Sequence, residues 1–127
     1  MGSAAQSLPD RVVLVVDDEE LVCCLTARIL VEAGFRVVKA HSGEEAAGLL
    51  ASLNGTVQLV VSDIAMPGMT GTELAKRMAR DWPTTPILLV SGQGGPTTGY
   101  TGPFLPKPFT RERLVEAVGG LIRPPMR

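Results

Sequence analysis

Five side chains that can bind a cation or a phosphoryl group follow apolar segments of strand length: Asp17, Asp18, Asp63, Ser91 and Lys107. Carboxylates held close together repel one another, and a bound divalent cation allows them to stay ionised together. Oxygen ligands without His or Cys favour a hard ion, and phosphate chemistry favours Mg²⁺, with Mn²⁺ as a substitute. A lysine and a hydroxyl beside that ion would neutralise a phosphoryl group from several sides. Together these residue types predict a metal-dependent phosphoryl site.

Each of these residues also has an ordinary structural interpretation. Asp17 and Asp18 could cap the helix that follows them, because Asp is favoured at that position. Asp63 could be a turn residue before Met66-Pro67-Gly68. Ser91 could simply end a strand, and a lone lysine is most often a solvated surface charge. Their common placement favours the site, because unrelated causes would otherwise have to put all five at strand ends.

The elements that must position these residues alternate between strand and helix. Apolar runs predict strands at Val12–Val16, Phe35–Ala40, Val57–Val61, Ile87–Val90 and Phe104–Leu105. Apolar side chains at helical spacing predict helices after the first, second, third and fifth strands, the first on Leu21, Val22, Leu25 and Ile29 and ending at Gly34. Ser42 with Glu45 and Thr70 with Glu73 form capping-box patterns, and Thr110 caps the last helix.

This alternation predicts a parallel sheet with helices on both faces. In such a sheet, reactive groups lie outside the carboxyl ends of the strands. The five polar residues are therefore expected to converge on one edge.

Composition bounds the possible functions. The 127 residues, 45% of them hydrophobic, suffice for one domain with a core. A net charge of −1 without a basic stripe argues against direct binding of nucleic acid. The apolar runs are too short to cross a bilayer, so no membrane insertion is expected. Cys23 and Cys24 are adjacent and have no Cys/His cluster around them, which is typical of a reducing cytoplasm. We interpret residues 1–9 as a tag or disordered lead-in, 10–123 as the domain and 124–127 as a tail.

Three motifs carry a family resemblance: the acidic pair after Val13–Val16, the Asp-x-x-Met-Pro-Gly-Met-x-Gly loop that begins at Asp63, and Lys107-Pro108-Phe109. Together they resemble the response-regulator receiver domains of two-component signalling, most closely the receivers of hybrid sensor histidine kinases. The resemblance runs from about Arg11 to Ile122. It implies a flavodoxin-like α/β fold, a doubly wound five-stranded parallel sheet in the order 2-1-3-4-5 with helices on both faces.

The resemblance also implies residue roles. Asp63 would accept a phosphoryl group from the phosphohistidine of a sensor histidine kinase or histidine phosphotransfer domain. Mg²⁺ (or Mn²⁺) would be held by Asp17, Asp18, Asp63 and the backbone carbonyl of Ala65, and Lys107 would pair with a phosphate oxygen. The domain would be a phosphoacceptor rather than a turnover enzyme, able to take phosphate from small phosphodonors and to lose it slowly.

A conformational switch is implied as well. Ser91 would hydrogen-bond the phosphate and draw its loop inward, and Phe104 would turn into the space released. The resemblance further implies a cis bond between Lys107 and Pro108.

The chain departs from the family between Ser91 and Lys107, which are fewer positions apart than receivers commonly have. The segment from Gly92 to Pro103 holds five Gly and two Pro, the poorest helix formers. We predict that the family's fourth helix, which lies between the fourth and fifth strands, is missing or degenerate. This argues against dimerisation through the usual face that contains it.

Two other function classes compete with a phosphoacceptor. A pseudo-receiver would bind partners without phosphorylation, but the full set of five polar residues argues against it. A phosphatase of the haloacid-dehalogenase type needs a second Asp two positions after the nucleophile, where this chain has Ala65. No nucleotide-binding P-loop motif is present.

Overall fold

Five strands form one parallel sheet in the order β2-β1-β3-β4-β5 in the computed structural model, which describes residues 12–53, 55–92 and 100–122. The strands are β1 (Val12–Val16), β2 (Val37–Ala40), β3 (Val57–Asp63), β4 (Ile87–Ser91) and β5 (Phe104–Pro106). The described helices are α1 (Glu20–Glu32), α2 (Gly43–Ser52), α3 (Gly71–Asp81) and α4 (Arg111–Gly119). The predicted fold class and strand order are confirmed.

The sheet is covered on both faces, which explains why its central strands are continuously apolar. Side chains alternate along β1, so Leu14 and Val16 enter one hydrophobic core while Val13 and Val15 enter the other. The first core also contains residues of α2 and α3, and the second contains residues of α1 and α4. The sheet is therefore packed against helices on both faces.

Two of the helix starts follow the predicted chemistry, and one differs. Thr70 and Glu73 form a complete capping box at α3, and Thr110 accepts the backbone N–H of Arg113 at α4. At α2, Ser42 accepts the N–H of Glu45, but the Glu45 carboxylate accepts the N–H of His41 at 2.8 Å instead of that of Ser42. The capping box predicted at α2 is therefore only half formed.

The helix predicted around Leu21, Val22, Leu25 and Ile29 is confirmed as α1, but only part of this face packs on the core, since Ile29 contacts it and the two leucines do not. Leu21 is 71% exposed and Leu25 is 54% exposed. The buried side chains of α1 are Cys23, Thr26, Ala27 and Leu30. The helix is apolar nearly all round, so helical spacing alone could not decide which face is inward. α1 ends at Glu32, and Gly34 follows with φ of 104°, as its position beyond the helix requires.

The prediction of a missing helix between β4 and β5 falls largely outside the described residues, which exclude positions 93–99. The described ends of this connection, Gly92 and residues 100–103, are not helical. The expected cis bond between Lys107 and Pro108 is confirmed. The predicted lead-in and tail lie outside the described residues, and no helix in the described part has the length and hydropathy to cross a membrane.

Candidate functional site

The carboxyl edge of the sheet brings the predicted site residues together. Asp17 follows β1 directly, and Lys107 follows β5 directly. β3 extends two residues beyond the predicted strand and β4 one residue, so that Asp63 and Ser91 are the last residues of their strands. In the parallel register Val16 pairs with Ser62, and Asp63 pairs with Val90, which aligns the strand ends at one edge.

Three carboxylates form an acidic cluster at this edge. One carboxylate oxygen each from Asp17, Asp18 and Asp63 lies within 4.8 Å of the others. Asp17 is buried, Asp63 is partly buried and Asp18 is exposed, so the cluster opens to solvent on one side. Asp17 Oδ1 also accepts the backbone N–H of Glu19 at 2.9 Å, which fixes that side chain. This all-oxygen donor set could hold a hard divalent cation.

Lys107 supplies positive charge to the same cluster. Its Nζ lies 3.3 Å from Asp63 Oδ1 and 3.6 Å from Asp17 Oδ2. The backbone N–H of Lys107 donates to the carbonyl oxygen of Ser91 at 2.7 Å, which ties the lysine to the end of β4. Burial raises the pKa of the Asp63 carboxyl; the ammonium of Lys107 opposes this, and the charge of Asp17 adds to it. The site therefore concentrates negative charge that needs a cationic partner.

The loop between β3 and α3 is closed tightly around Asp63. Gly71 donates its N–H to the carbonyl of Ile64 at 2.9 Å. A Cβ on Gly71 would lie 2.2 Å from the carbonyl oxygen of Asp63, so only glycine fits there. Earlier in the same loop, Gly68 has φ of 73°, and the N–H of Met69 donates to Glu44 Oε2 of α2 at 3.2 Å. The loop carries Ala65, whose carbonyl stays a predicted metal ligand.

Comparison with known proteins identifies the family. A family model for the response regulator receiver domain matches residues 13–119. The chain belongs to this family. Sensor kinase CckA of Brucella abortus is 36% identical over 112 residues, covering 84% of this chain and 12% of that protein. Transcriptional regulatory protein CpxR of Klebsiella pneumoniae subsp. pneumoniae is 32% identical over 117 residues, covering 87% of this chain and 49% of CpxR. The chain thus spans about half or less of these relatives.

Solved structures agree with this assignment. The receiver domain from hybrid histidine kinase CckA superposes with a TM-score of 0.75 and 35% identity, covering 86% of this chain and 96% of that one. Chemotaxis protein CheY4 of Vibrio cholerae gives a TM-score of 0.77 at 30% identity, covering 88% of this chain and 98% of that one. The receiver domain resembles these folds over nearly the whole of their length.

The two residues predicted to switch occupy suitable places in this receiver domain. Ser91 is buried at the end of β4, and Phe104 is partly buried against the core that contains α2 and α3. Their roles as a switch stay predictions, as does the catalytic role of Ser91.

Sequence reasoning missed Thr26 and Glu44 of the receiver domain. Thr26 is buried in α1 and lines a small cavity with Asp17, Asp63 and Lys107. Glu44 supports the loop after Asp63 from 25 positions away in the chain. Neither residue carries a signal in the sequence, because helical spacing could not decide that Thr26 lies on the inward side of α1, and Glu44 is distant in the chain from the loop that it supports.

Proposed function

We propose that the receiver domain accepts a phosphoryl group on Asp63 from a phosphohistidine and changes conformation in response. The observation that carries this proposal is the contact of 3.3 Å between Lys107 Nζ and Asp63 Oδ1 inside a cluster of three carboxylates. A carboxylate nucleophile, a cationic partner and a potential metal site are the parts that phosphoryl transfer to an aspartate needs.

In the proposed transfer, a carboxylate oxygen of Asp63 forms a bond to phosphorus while the bond from phosphorus to the histidine nitrogen breaks. The imidazole leaves with the electron pair of that bond and takes a proton. Lys107 then exchanges its contact with Asp63 for a phosphate oxygen, since its ammonium is a mobile point charge. The hydroxyl of Ser91, at the neighbouring strand end, donates to a second phosphate oxygen.

Asp17, Asp18, Asp63 and the carbonyl of Ala65 would hold Mg²⁺, or Mn²⁺ in its place. The bound ion would supply positive charge that offsets repulsion between the acidic cluster and an incoming phosphate. The residues fit such an ion, because their oxygens already lie close together and no His or Cys is among them.

The proposed readout begins at Ser91. Drawing its hydroxyl toward the phosphate would move the end of β4, and Phe104 on β5 would follow inward because the two strands are adjacent. The acyl phosphate is intrinsically reactive and would hydrolyse by itself. The signal would therefore decay, slowly, without a separate enzyme.

The proposed partner is a sensor histidine kinase or a histidine phosphotransfer domain in the cytoplasm. Any such partner must bring its histidine to Asp63, so it must contact the surface around the mouth of the site. An apolar groove lies there, lined by Val22, Leu25, Ile29, Lys107, Pro108 and Phe109 among others. The α1 side chains that line this groove would therefore face the phosphate donor. We propose no direct binding of nucleic acid and no dimerisation through the usual fourth-helix face.

Phosphorylation is tested by incubating the protein with Mg²⁺ and acetyl phosphate and following the mass of the intact chain. We expect one phosphate adduct on the wild type and on Asp81→Asn, a control that changes the carboxylate of the last residue of α3. Asp63→Asn should show none. Removal of Mg²⁺ with EDTA should abolish the adduct on the wild type and on Asp81→Asn.

The other outcomes distinguish the alternatives. If acetyl phosphate and a panel of phosphorylated histidine kinases all leave the wild type unmodified, the domain is a pseudo-receiver that acts by binding alone. Release of inorganic phosphate over many turnovers without an adduct would indicate a phosphatase.

A further inference from the structure

Cys24 of α1 and Lys39 of β2 form a close pair of nucleophilic side chains outside the acidic cluster. The sulfur of Cys24 lies 3.4 Å from Lys39 Nζ, although the two residues are 15 positions apart in the chain. β2 is an edge strand of the sheet, and α1 packs beside it. The proposed phosphoryl transfer makes no use of this pair.

The pair is open to solvent. Cys24 is half-buried and Lys39 is exposed, and both line a groove of about 470 Å³. A molecule as small as hydrogen peroxide can therefore approach the sulfur. Arg28 lines the same groove, but it is paired with Glu32 at 3.2 Å, and a guanidinium does not lose its proton in proteins. Among the described residues that line the groove, Lys39 is thus the one that can offer an amine.

Cys23, the neighbouring cysteine, provides an internal comparison. Its side chain is fully buried, and its sulfur lies 3.8 Å and 3.9 Å from the carbonyl oxygens of Val15 and Ala40. Burial raises the pKa of the Cys23 thiol to about 11, so this thiol stays protonated near neutral pH. Peroxides react with the thiolate of an accessible cysteine, which favours Cys24 over Cys23.

Glu20 completes the surroundings of the pair. Its Oε2 lies 3.5 Å from Cys24 Sγ, and its Oε1 lies 2.8 Å from His41 Nε2. The hydrogen bond to Cys24 is the largest cause that raises the pKa of Lys39, and the charge of Glu20 adds to it. Lys39 is therefore an ammonium near neutral pH, and the amine that can form a bond to sulfur becomes more abundant in alkaline solution.

We propose that Cys24 and Lys39 form a redox-sensitive covalent crosslink, with hydrogen peroxide as the oxidant. The thiolate of Cys24 attacks one peroxide oxygen, the O–O bond breaks, and the departing hydroxide takes up a proton to form water, which leaves a sulfenic acid. The amine of Lys39 then attacks the sulfur, the S–O bond breaks, and hydroxide leaves with the electron pair and takes a proton from the nitrogen. The product is a sulfenamide, in which sulfur is bonded to nitrogen and two hydrogens have been lost.

The folded chain favours this condensation because sulfur and nitrogen are already close. Reacting atoms held about 3–3.5 Å apart are in a near-attack arrangement, which gives intramolecular reactions a high effective concentration. The crosslink attaches α1 to β2. Thiols reverse it: a thiol attacks the sulfur, the S–N bond breaks, and the lysine amine leaves with a proton. A second thiol then reduces the mixed disulfide and restores Cys24.

The test treats the protein with hydrogen peroxide at about pH 9, where more of the Lys39 amine is present, and maps the products by trypsin digestion and mass spectrometry. Trypsin cleaves after unmodified lysine, so the crosslink should leave the bond after Lys39 uncut. It should also join the peptide that contains Cys24 to the peptide that contains Lys39. The linked peptides should be lighter than their sum by two hydrogens, and dithiothreitol should separate them.

Three variants and an unfolded control separate the chemistry from the fold. Cys24→Ser and Lys39→Arg should give no linked peptide, because the first lacks the sulfur and the second lacks the amine. Cys23→Ala should still form the crosslink. The wild type unfolded in guanidinium chloride should form at least about tenfold less of it, because the two atoms are no longer held together.

Thermal unfolding gives a second measurement. The crosslink should raise the melting temperature of the peroxide-treated wild type by about 5–10 °C relative to peroxide-treated Lys39→Arg, since closing a loop of this length constrains the unfolded chain. The treated variant undergoes the same oxidation of methionine, so the difference isolates the crosslink.

Four results would overturn the proposal. Oxidation of Cys24 to a sulfinic acid with normal cleavage after Lys39 would show that the pair does not join. Equal linkage in the folded and the unfolded chain would show that the fold does not direct it. A dimer held by a disulfide between two copies of Cys24 would assign this cysteine to contact with a second chain. A linked peptide that retains one oxygen atom would replace the direct bond with an N–O–S bridge.

Discussion

At the residue scale, the ammonium of Lys107 and a bound metal ion would both be attracted by the same carboxylates. The ammonium lies 3.3 Å from Asp63 Oδ1 and 3.6 Å from Asp17 Oδ2, and both carboxylates belong to the acidic cluster. With its side chain 24% exposed, Lys107 is only partly screened by water. A cation bound by the cluster is therefore repelled by the lysine while the phosphate is absent.

Replacing Lys107 with methionine should accordingly tighten metal binding. We expect the affinity of Lys107→Met for Mg²⁺ to rise about tenfold, or about 1.4 kcal/mol, because a nearby positive charge is removed. Isothermal titration with Mg²⁺ measures the change, and Lys76→Met, on the outer side of α3, serves as the control. Equal affinity in Lys107→Met and the wild type would mean that lysine and ion do not share these carboxylates.

The residues that carry charge were within reach of sequence reasoning, but their supports were not. Asp17, Asp63 and Lys107 follow apolar strands, and the rule for parallel sheets then places them at one edge. Glu44 reaches the loop after Asp63 across 25 positions, and Gly71 is required because of a backbone atom eight positions earlier. Such contacts depend on how the folded helices and strands pack against one another, which a local sequence pattern does not predict.

At the scale of elements, the junction between β3 and α3 couples the site to the fold. Gly71 begins α3 and also closes the loop that carries Asp63 at its start. β3 and α3 can approach this closely only because Gly71 has no Cβ, since a Cβ there would lie 2.2 Å from the carbonyl oxygen of Asp63. A change at Gly71 should therefore disturb both stability and chemistry.

Gly71→Ala should lower the free energy of unfolding by about 1–3 kcal/mol, the usual cost of forcing an extra methyl group into a packed interior. Gly48→Ala is the matched control, because Gly48 is exposed within α2 and a Cβ there meets nothing within 4 Å. That control should gain about 0.5–1 kcal/mol from reduced backbone freedom. Urea unfolding measures both; a Gly71→Ala variant as stable as Gly48→Ala would contradict the tight junction.

The order of strands and helices was predictable because the spacing of apolar residues and the helix-capping residues indicate the same elements, as at Thr70 and Glu73. The orientation of α1 was not, because leucine lies on its outward side, at Leu21 and Leu25, as well as on its inward side, at Leu30. The small or polar residues Cys23, Thr26 and Ala27 are buried beside Leu30, so side-chain hydropathy alone did not identify the inward face. β3 and β4 also extend beyond their apolar runs, to Asp63 and Ser91, because backbone pairing with the neighbouring strand continues at these polar residues.

At the scale of the whole molecule, the exposed apolar surface of α1 divides into two parts. Leu25 lines the groove that leads to Lys107, whereas Val31 lies near the far end of the helix and lines a different groove with Cys24 and Lys39. Both side chains are 54% exposed, so they differ in position rather than in burial. A phosphate donor that reaches Asp63 should touch only the first.

Leu25→Ser should therefore slow transfer from a phosphohistidine partner by about fivefold or more, as loss of an interface anchor does. It should leave modification by acetyl phosphate unchanged, because a small donor does not contact α1. Val31→Ser should alter neither rate, and both variants should unfold within about 0.5 kcal/mol of the wild type, as exposed positions usually do. Rates come from quenched transfer reactions with a kinase that phosphorylates the wild type. Equal transfer rates for Leu25→Ser and Val31→Ser would place the partner elsewhere, and a parallel loss with acetyl phosphate would mean that Leu25 supports the site itself.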